Sequence, residues 1–108
     1  MRLVDLEPTF LKVLGDGSHR MAVPFSEADG IMFLCPLCFE TNGGRTGTHM
    51  VICWRPRVPQ TVSPVPGRWE FEGAGFDDLT LVAGSSSILL MSGCRWHGYV
   101  RNGEVTNA

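Results

Sequence analysis

Two pairs of potential metal ligands stand out in the chain, Cys35-Pro36-Leu37-Cys38 and Cys94-Arg95-Trp96-His97. A two-residue spacer lets one tight turn aim two side chains at a single ion, and structural zinc sites are built from four such sulfur or nitrogen donors. The pairs are separated by 55 residues, far more than the spacers of finger peptides. A shared ion would therefore join distant parts of a sheet. Closing a loop of that length costs about 3.5 kcal/mol of chain entropy by the logarithmic rule. Structural zinc in finger peptides supplies roughly 10–16 kcal/mol, so metal binding wins that balance. The expected site is Zn2+ on Cys35, Cys38, Cys94 and His97. Cys53 and His49 are the alternates, Cys53 otherwise serving as a small core hydrophobe and His49 as a sheet histidine.

Three kinds of chemistry fit these residues. A closed four-ligand zinc holds a fold together. A catalytic zinc instead keeps one position for water or substrate and needs an acid or base nearby, for which Glu40 or His49 could serve if His97 left the metal. No H-E-x-x-H motif, and no H-x-E before P-C-x-x-C, supports hydrolysis or deamination. The third reading is a thiol redox pair at Cys35 and Cys38. Such pairs work when the first thiolate caps a helix, and the turn-rich stretch from Phe39 to Gly47 is not expected to be one.

The elements that must position the ligands read as strands, giving an all-β fold: a small antiparallel sheet or sandwich with two zinc-knuckle turns and a C-terminal hairpin. Arg2–Leu6 and Phe10–Leu14 are short apolar runs divided by Glu7-Pro8 and ended by Gly15-Asp16-Gly17, residues that favour turns. Ile31–Leu34 is a continuous apolar run leading directly into Cys35. His49–Trp54 is β-branched and aromatic, with Met50, Ile52 and Trp54 on one face and His49 and Cys53 on the other. Trp69–Glu72 and Leu79–Leu81 alternate as half-buried strands do. Ile88–Met91 is a short buried strand. Asn102-Gly103 between Tyr99–Arg101 and Glu104–Thr106 is a strong hairpin signal, placing Val100 opposite Val105 and Arg101 opposite Glu104. Helical periodicity is nearly absent; one turn at Ser26–Asp29, ended by Gly30, is the best candidate.

With 108 residues the chain suits one domain spanning residues 1–108. Its net charge of −2 lacks the basic footprint of a nucleic-acid binder. No run reaches membrane-spanning length, and the N-terminus has no signal-peptide core, so a cytoplasmic protein is expected. In a reducing compartment four cysteines favour metal or redox roles over disulfides.

Eight of the nine basic residues are arginine. Thr41 to Trp69 holds Arg45, Arg55, Arg57 and Arg68 with no acid among them. Four prolines make Arg55–Arg68 a long loop rather than a ladder strand, and loops of that length are often functional. These arginines are the expected surface for an acidic protein partner. Nucleic acid is the less favoured ligand, because no aromatic platform accompanies them.

From Ile31 to Val105 the chain resembles a domain-of-unknown-function family of small bacterial and phage proteins. The resemblance rests on Cys35-Pro36-Leu37-Cys38, Trp69-Glu70-Phe71-Glu72-Gly73, Leu79-Thr80-Leu81, Ser87-Ile88 and the run from Cys94 to Val105. Phe39 stands where a glycine often follows the knuckle, Gly98 where the family has an aromatic, and Ser86 where it has a proline. The resemblance implies partnership with other proteins, in a phage (hence in host cytoplasm), in a bacterial defence system, or beside ubiquitin-like conjugation genes.

Overall fold

A computed structural model of the chain describes residues 1–65, 67–82, 87–90 and 93–108. Met91 at the end of its apolar run, Pro66 of the loop and Ser86 of the family pattern lie outside them. Nine strands form small antiparallel sheets among the described residues: β1 Thr9–Val13, β2 His19–Met21, β3 Gly30–Leu34, β4 Met50–Trp54, β5 Glu70–Glu72, β6 Thr80–Val82, β7 Ile88–Leu89, β8 His97–Arg101 and β9 Glu104–Asn107. The first sheet runs β2-β1-β3-β4, a pair joins β5 to β6, and the third sheet runs β7-β8-β9.

Period-2 alternation explains which side chains meet. From the first sheet Phe10, Ile31, Phe33, Val51 and Cys53 point inward. They meet Phe71 and Leu81 of the pair and Ile88, Val100 and Val105 of the third sheet in one core. On the opposite face of the first sheet, Leu11 and Trp54 pack with Val58 from the proline-rich loop, and Ile52 and Val62 border them. That loop is therefore the cover of a second, smaller core. The Trp54 indole N–H donates to the Ser63 carbonyl at 2.9 Å, which pins the loop in place.

The hairpin forms in the expected register, with Val100 opposite Val105 and Arg101 opposite Glu104. Asn102 and Gly103 both take positive φ, 50° and 75°, the backbone a two-residue turn needs to match strand twist. Three expectations change. Leu3–Leu6 is a 3-10 turn rather than a strand; Leu3 and Leu6 are both buried, a spacing of three that suits a turn and not a pleat. The expected turn at Ser26–Asp29 is a 3-10 turn at Phe25–Glu27, and Gly30 begins β3 instead of ending that turn.

The third change bears on the site. A seven-residue helix, α1, runs from Pro36 to Asn42, where the sequence predicts a knuckle turn followed by the turn-rich stretch from Phe39. Pro36 occupies the first helical position, where its missing N–H is not needed. Gly43 ends the helix at φ 70°, its N–H directed at the Glu40 and Phe39 carbonyls, the left-handed C-terminal cap glycine favours. Two turns are too short to display a 3.6-residue apolar period, and only the end signals remain.

Candidate metal centre

The site is assembled by the pairing of β3 with β4. Leu34 lies opposite Met50, and the Cys35 N–H continues the ladder by donating to the His49 carbonyl at 2.9 Å. His49 is thereby placed beside the point where β3 turns into α1. Cys35 is the residue before the helix, and its carbonyl accepts the Phe39 N–H at 2.9 Å. Cys38 follows within the first turn, where residues three apart share a side.

Cys94 arrives from the other end of the chain, between Gly93 and Arg95, both of positive φ. These two left-handed residues fold the chain sharply before β8. The Cys94 Sγ lies 3.5 Å from the Cys35 Sγ and 3.2 Å from the His49 Nε2.

Ligand atoms of Cys35, Cys38, His49 and Cys94 all lie within 4.8 Å of one another. Zn–S bonds of about 2.3 Å and Zn–N bonds of about 2.0 Å put tetrahedral donors about 3.5–3.8 Å apart. The observed separations match that scale, so three cysteines and one histidine can hold a metal ion. The His49 Nδ1 lies 3.3 Å from the Met50 carbonyl. A proton on Nδ1 donated there leaves the Nε2 lone pair facing the sulfurs, the arrangement by which a backbone carbonyl orients a ligating histidine.

The thiols are not equivalent. Burial pushes Cys35 up to about 12 and raises Cys38 as well, with the neighbouring Cys94 adding to it. Burial also works against ionisation of Cys94, but the His49 ring, the Trp96 N–H and the two facing thiols outweigh it and bring Cys94 down to about 7. Of the three clustered thiols, Cys94 is therefore the one whose surroundings favour the thiolate.

His97, expected as the fourth ligand, is not in the cluster. After Cys94 the chain does not close into a knuckle but enters β8, and the Trp96 carbonyl accepts the Leu90 N–H at 3.0 Å. Trp96 turns into the core against Phe33, so strand alternation carries His97 to the exposed face, opposite Leu89. The Trp96 ring also lies over Gly98, where an added Cβ would collide with it. Cys53 is fully buried within the main core, and burial raises its thiol. It is not one of the four clustered ligands. In sequence His49 is no more than an alternate ligand; the signal that selects it is the strand register, which a C-x-x-H spacing obscures.

Three of the four arginines are engaged within the chain. Arg68 donates to the carbonyls of Val58, Pro59, Val62, Pro64 and Gly67. Arg55 donates to the Ala28 carbonyl at 2.7 Å and its guanidinium lies over the Phe25 and Phe71 rings. Arg57 reaches the Asp29 carboxylate and the Ala28 carbonyl, both at 2.8 Å. Arg45 and Arg57 both keep largely exposed side chains, but Arg45 lies 3.6 Å from Glu7, itself exposed, whereas Arg57 meets the mostly buried Asp29.

Beside the metal centre an open groove of about 460 Å³ runs between β4 and β7, with His49, Ile52, Val65, Leu89 and Gly93 among its walls. Val65 and Leu89 are roughly half exposed there. No helix is long and apolar enough to cross a membrane among the described residues. Compared with protein-family models, with curated proteins and with solved structures, the chain matches none.

Proposed function

We propose that this chain is a small β module clamped by one Zn2+ on Cys35, Cys38, His49 and Cys94, and that it works by presenting a surface to another protein. The observation that carries the clamp is the convergence of four soft donors from three separate segments on one point. Zn2+ is the metal that a tetrahedral set of three thiolates and an imidazole suits best. Bound there, the ion supplies cross-linking and no reaction. Cys35 and Cys38 hold the start of α1, His49 holds the entry to β4, and Cys94 holds the turn into β8. A water-activating metal would need a coordination position that these four side chains fill.

The binding role rests on the groove. Its exposed Val65 and Leu89 lie next to His49, so the surface is shaped by the clamp. The arginine-bearing loop supports that role less, because its guanidinium groups are engaged within the chain. The family resemblance favours a partner encoded nearby, in a phage genome, a defence system or a ubiquitin-like conjugation locus.

Native mass spectrometry of the full chain, purified under reducing conditions, tests the clamp. One zinc per chain is expected, and a chelator is expected to remove it together with the near-ultraviolet circular dichroism of the core tryptophans. A metal-free chain with an unchanged spectrum and melting temperature would refute it. For the surface, Leu89→Glu is expected to abolish capture of the native partner while zinc content stays at one.

A further inference from the structure

The same four donors carry chemistry that the clamp does not use. Resting on the zinc reading, we infer that Cys94 is an oxidation site, and that a hydroperoxide reaching it joins Cys94 to Cys35 in a disulfide and releases the metal.

Access and proximity select these two sulfurs. Cys94 and Cys38 are both half-buried, whereas Cys35 is fully buried; of the two, Cys94 is the one whose chain neighbour walls the groove. Gly93, next to Cys94, and the exposed His49, in contact with it, both line the open groove. A molecule as small as a hydroperoxide therefore meets Cys94 before it meets Cys35. Once Cys94 is oxidised, the Cys35 sulfur 3.5 Å away is in place to react with it. A disulfide of about 2.05 Å needs those atoms to close by roughly 1.5 Å. The turn that carries Cys94 lies between Gly93 and Arg95, both of positive φ, and outside β8. Cys53 is fully buried within the main core and stands outside the cluster, so it takes no part.

The electrons balance in two steps. The Cys94 thiolate attacks the terminal peroxide oxygen, the O–O bond breaks, and the departing oxygen leaves as alkoxide, or as hydroxide from hydrogen peroxide, and takes up a proton to become the alcohol or water. Cys94 is then a sulfenic acid. Cys35, which would be held as a thiolate by the zinc, next attacks the Cys94 sulfur, the S–O bond breaks, and the second oxygen leaves as hydroxide and is likewise protonated. Two electrons pass from the sulfurs to the peroxide, and a hydroperoxide plus two protons becomes water and an alcohol, or two waters when hydrogen peroxide is used. A disulfide sulfur is a poor ligand, since the thiolate is the form that binds metals. Two of four donors are lost in one reaction, and Cys38 with His49 cannot retain the ion. The switch would convert an oxidant signal into loosening of the segments that wall the groove.

Zinc-loaded full-length chain is treated with stoichiometric hydrogen peroxide. Zinc release is read with a chromogenic chelator and the disulfide by tryptic mapping without reductant. Peptides 21–45 and 69–95 carry Cys35 with Cys38, and Cys94, respectively, while Cys53 lies in 46–57. The expected result is one zinc released per chain, a cross-link between 21–45 and 69–95 that fragmentation assigns to Cys35, and recovery of both thiols and zinc on adding dithiothreitol. Cys53→Ser is expected to behave identically. Zinc release with only a Cys35–Cys38 bond inside peptide 21–45, or with irreversible sulfonic acids, would overturn the proposal, as would dependence on Cys53. A chain that holds zinc yet forms no cross-link refutes the oxidation alone. A chain that takes up no zinc refutes the clamp, and the coupling with it.

Discussion

Two regions of this molecule concentrate donors of opposite kinds, and the chain treats them differently. The arginines of the 55–68 loop spend their N–H groups on carbonyls of the loop itself and of the turn before β3, and on the Asp29 carboxylate. The thiols and imidazole at the other end of β4 have one another as their nearest partners. Both clusters are conspicuous in sequence, one as an acid-free basic stretch and the other as paired spacings. Only the second leaves its donors pointing at a shared space. A side chain whose hydrogen-bonding capacity is filled by its own backbone is structural however polar it looks, and donors that face only each other call for something between them.

The largest effect should come from emptying the metal centre. A metal ion shared by Cys38 and Cys94 would close a loop of 55 residues, whose entropy is worth about 4 kcal/mol to the folded state by the cross-link rule. Chelation, or Cys35→Ser, is expected to cost about that much in a urea titration followed by tryptophan fluorescence, a large part of an ordinary domain's stability. A shift below ~1 kcal/mol would place this end of the molecule in the same class as a solvated surface.

His49 and His97 test the same contrast on a single residue type. His49→Ala is expected to weaken zinc binding at least ~100-fold in competition with a chromogenic chelator, since even outer-shell changes cost 10–100-fold. His97→Ala should leave affinity unchanged and move stability by less than ~0.5 kcal/mol, as exposed substitutions do. The reverse outcome would restore the C-x-x-H knuckle.

Much of the fold is legible before any coordinates. Apolar runs locate β1, β3, β4 and β7, and Asn102-Gly103 specifies the hairpin of β8 and β9 down to its facing residues. What escapes is of three kinds. A helix of two turns shows no periodicity, so α1 is announced only by Pro36 at its start and Gly43 at its end. Cys35, Cys38 and Cys94 are legible as ligands through their spacing. His49 is not, because its place depends on the register of β4 against β3, a long-range pairing that no local pattern encodes. The loop arginines mislead for a similar reason: a stretch lacking acids says nothing about carbonyls, and Asp29, which pairs with Arg57, lies 28 residues earlier.

The arginine side of the comparison carries smaller effects. Arg68→Ala should cost about 2–3 kcal/mol, because removing one partner strands several carbonyls that fold over the second core. Trp54, held to the same loop through Ser63, offers the readout, and its fluorescence should report loosening of the loop while zinc content stays at one. Arg68→Lys is expected to recover only part of the loss, since a single ammonium cannot span carbonyls distributed around a planar guanidinium.

Arg57 and Arg45 mark the lower end of the series and separate pairing from mere proximity. The Arg57 Nε donates to Asp29 at 2.8 Å, and the other Asp29 oxygen accepts the Val13 N–H at 2.8 Å, so this carboxylate is fixed by β1 before the arginine meets it. Arg57→Ala should therefore cost about 1 kcal/mol, the upper range for an exposed ion pair, and the loss should shrink in 1 M salt, where the screening length is about 3 Å. Arg45 sits 3.6 Å from Glu7 with both side chains largely in solvent, which gives its pair no such fixed partner. Arg45→Ala is expected to be silent in the same titration. Equal losses at the two positions would mean that net charge, rather than the anchoring of Asp29, decides what an arginine contributes at this end of the molecule.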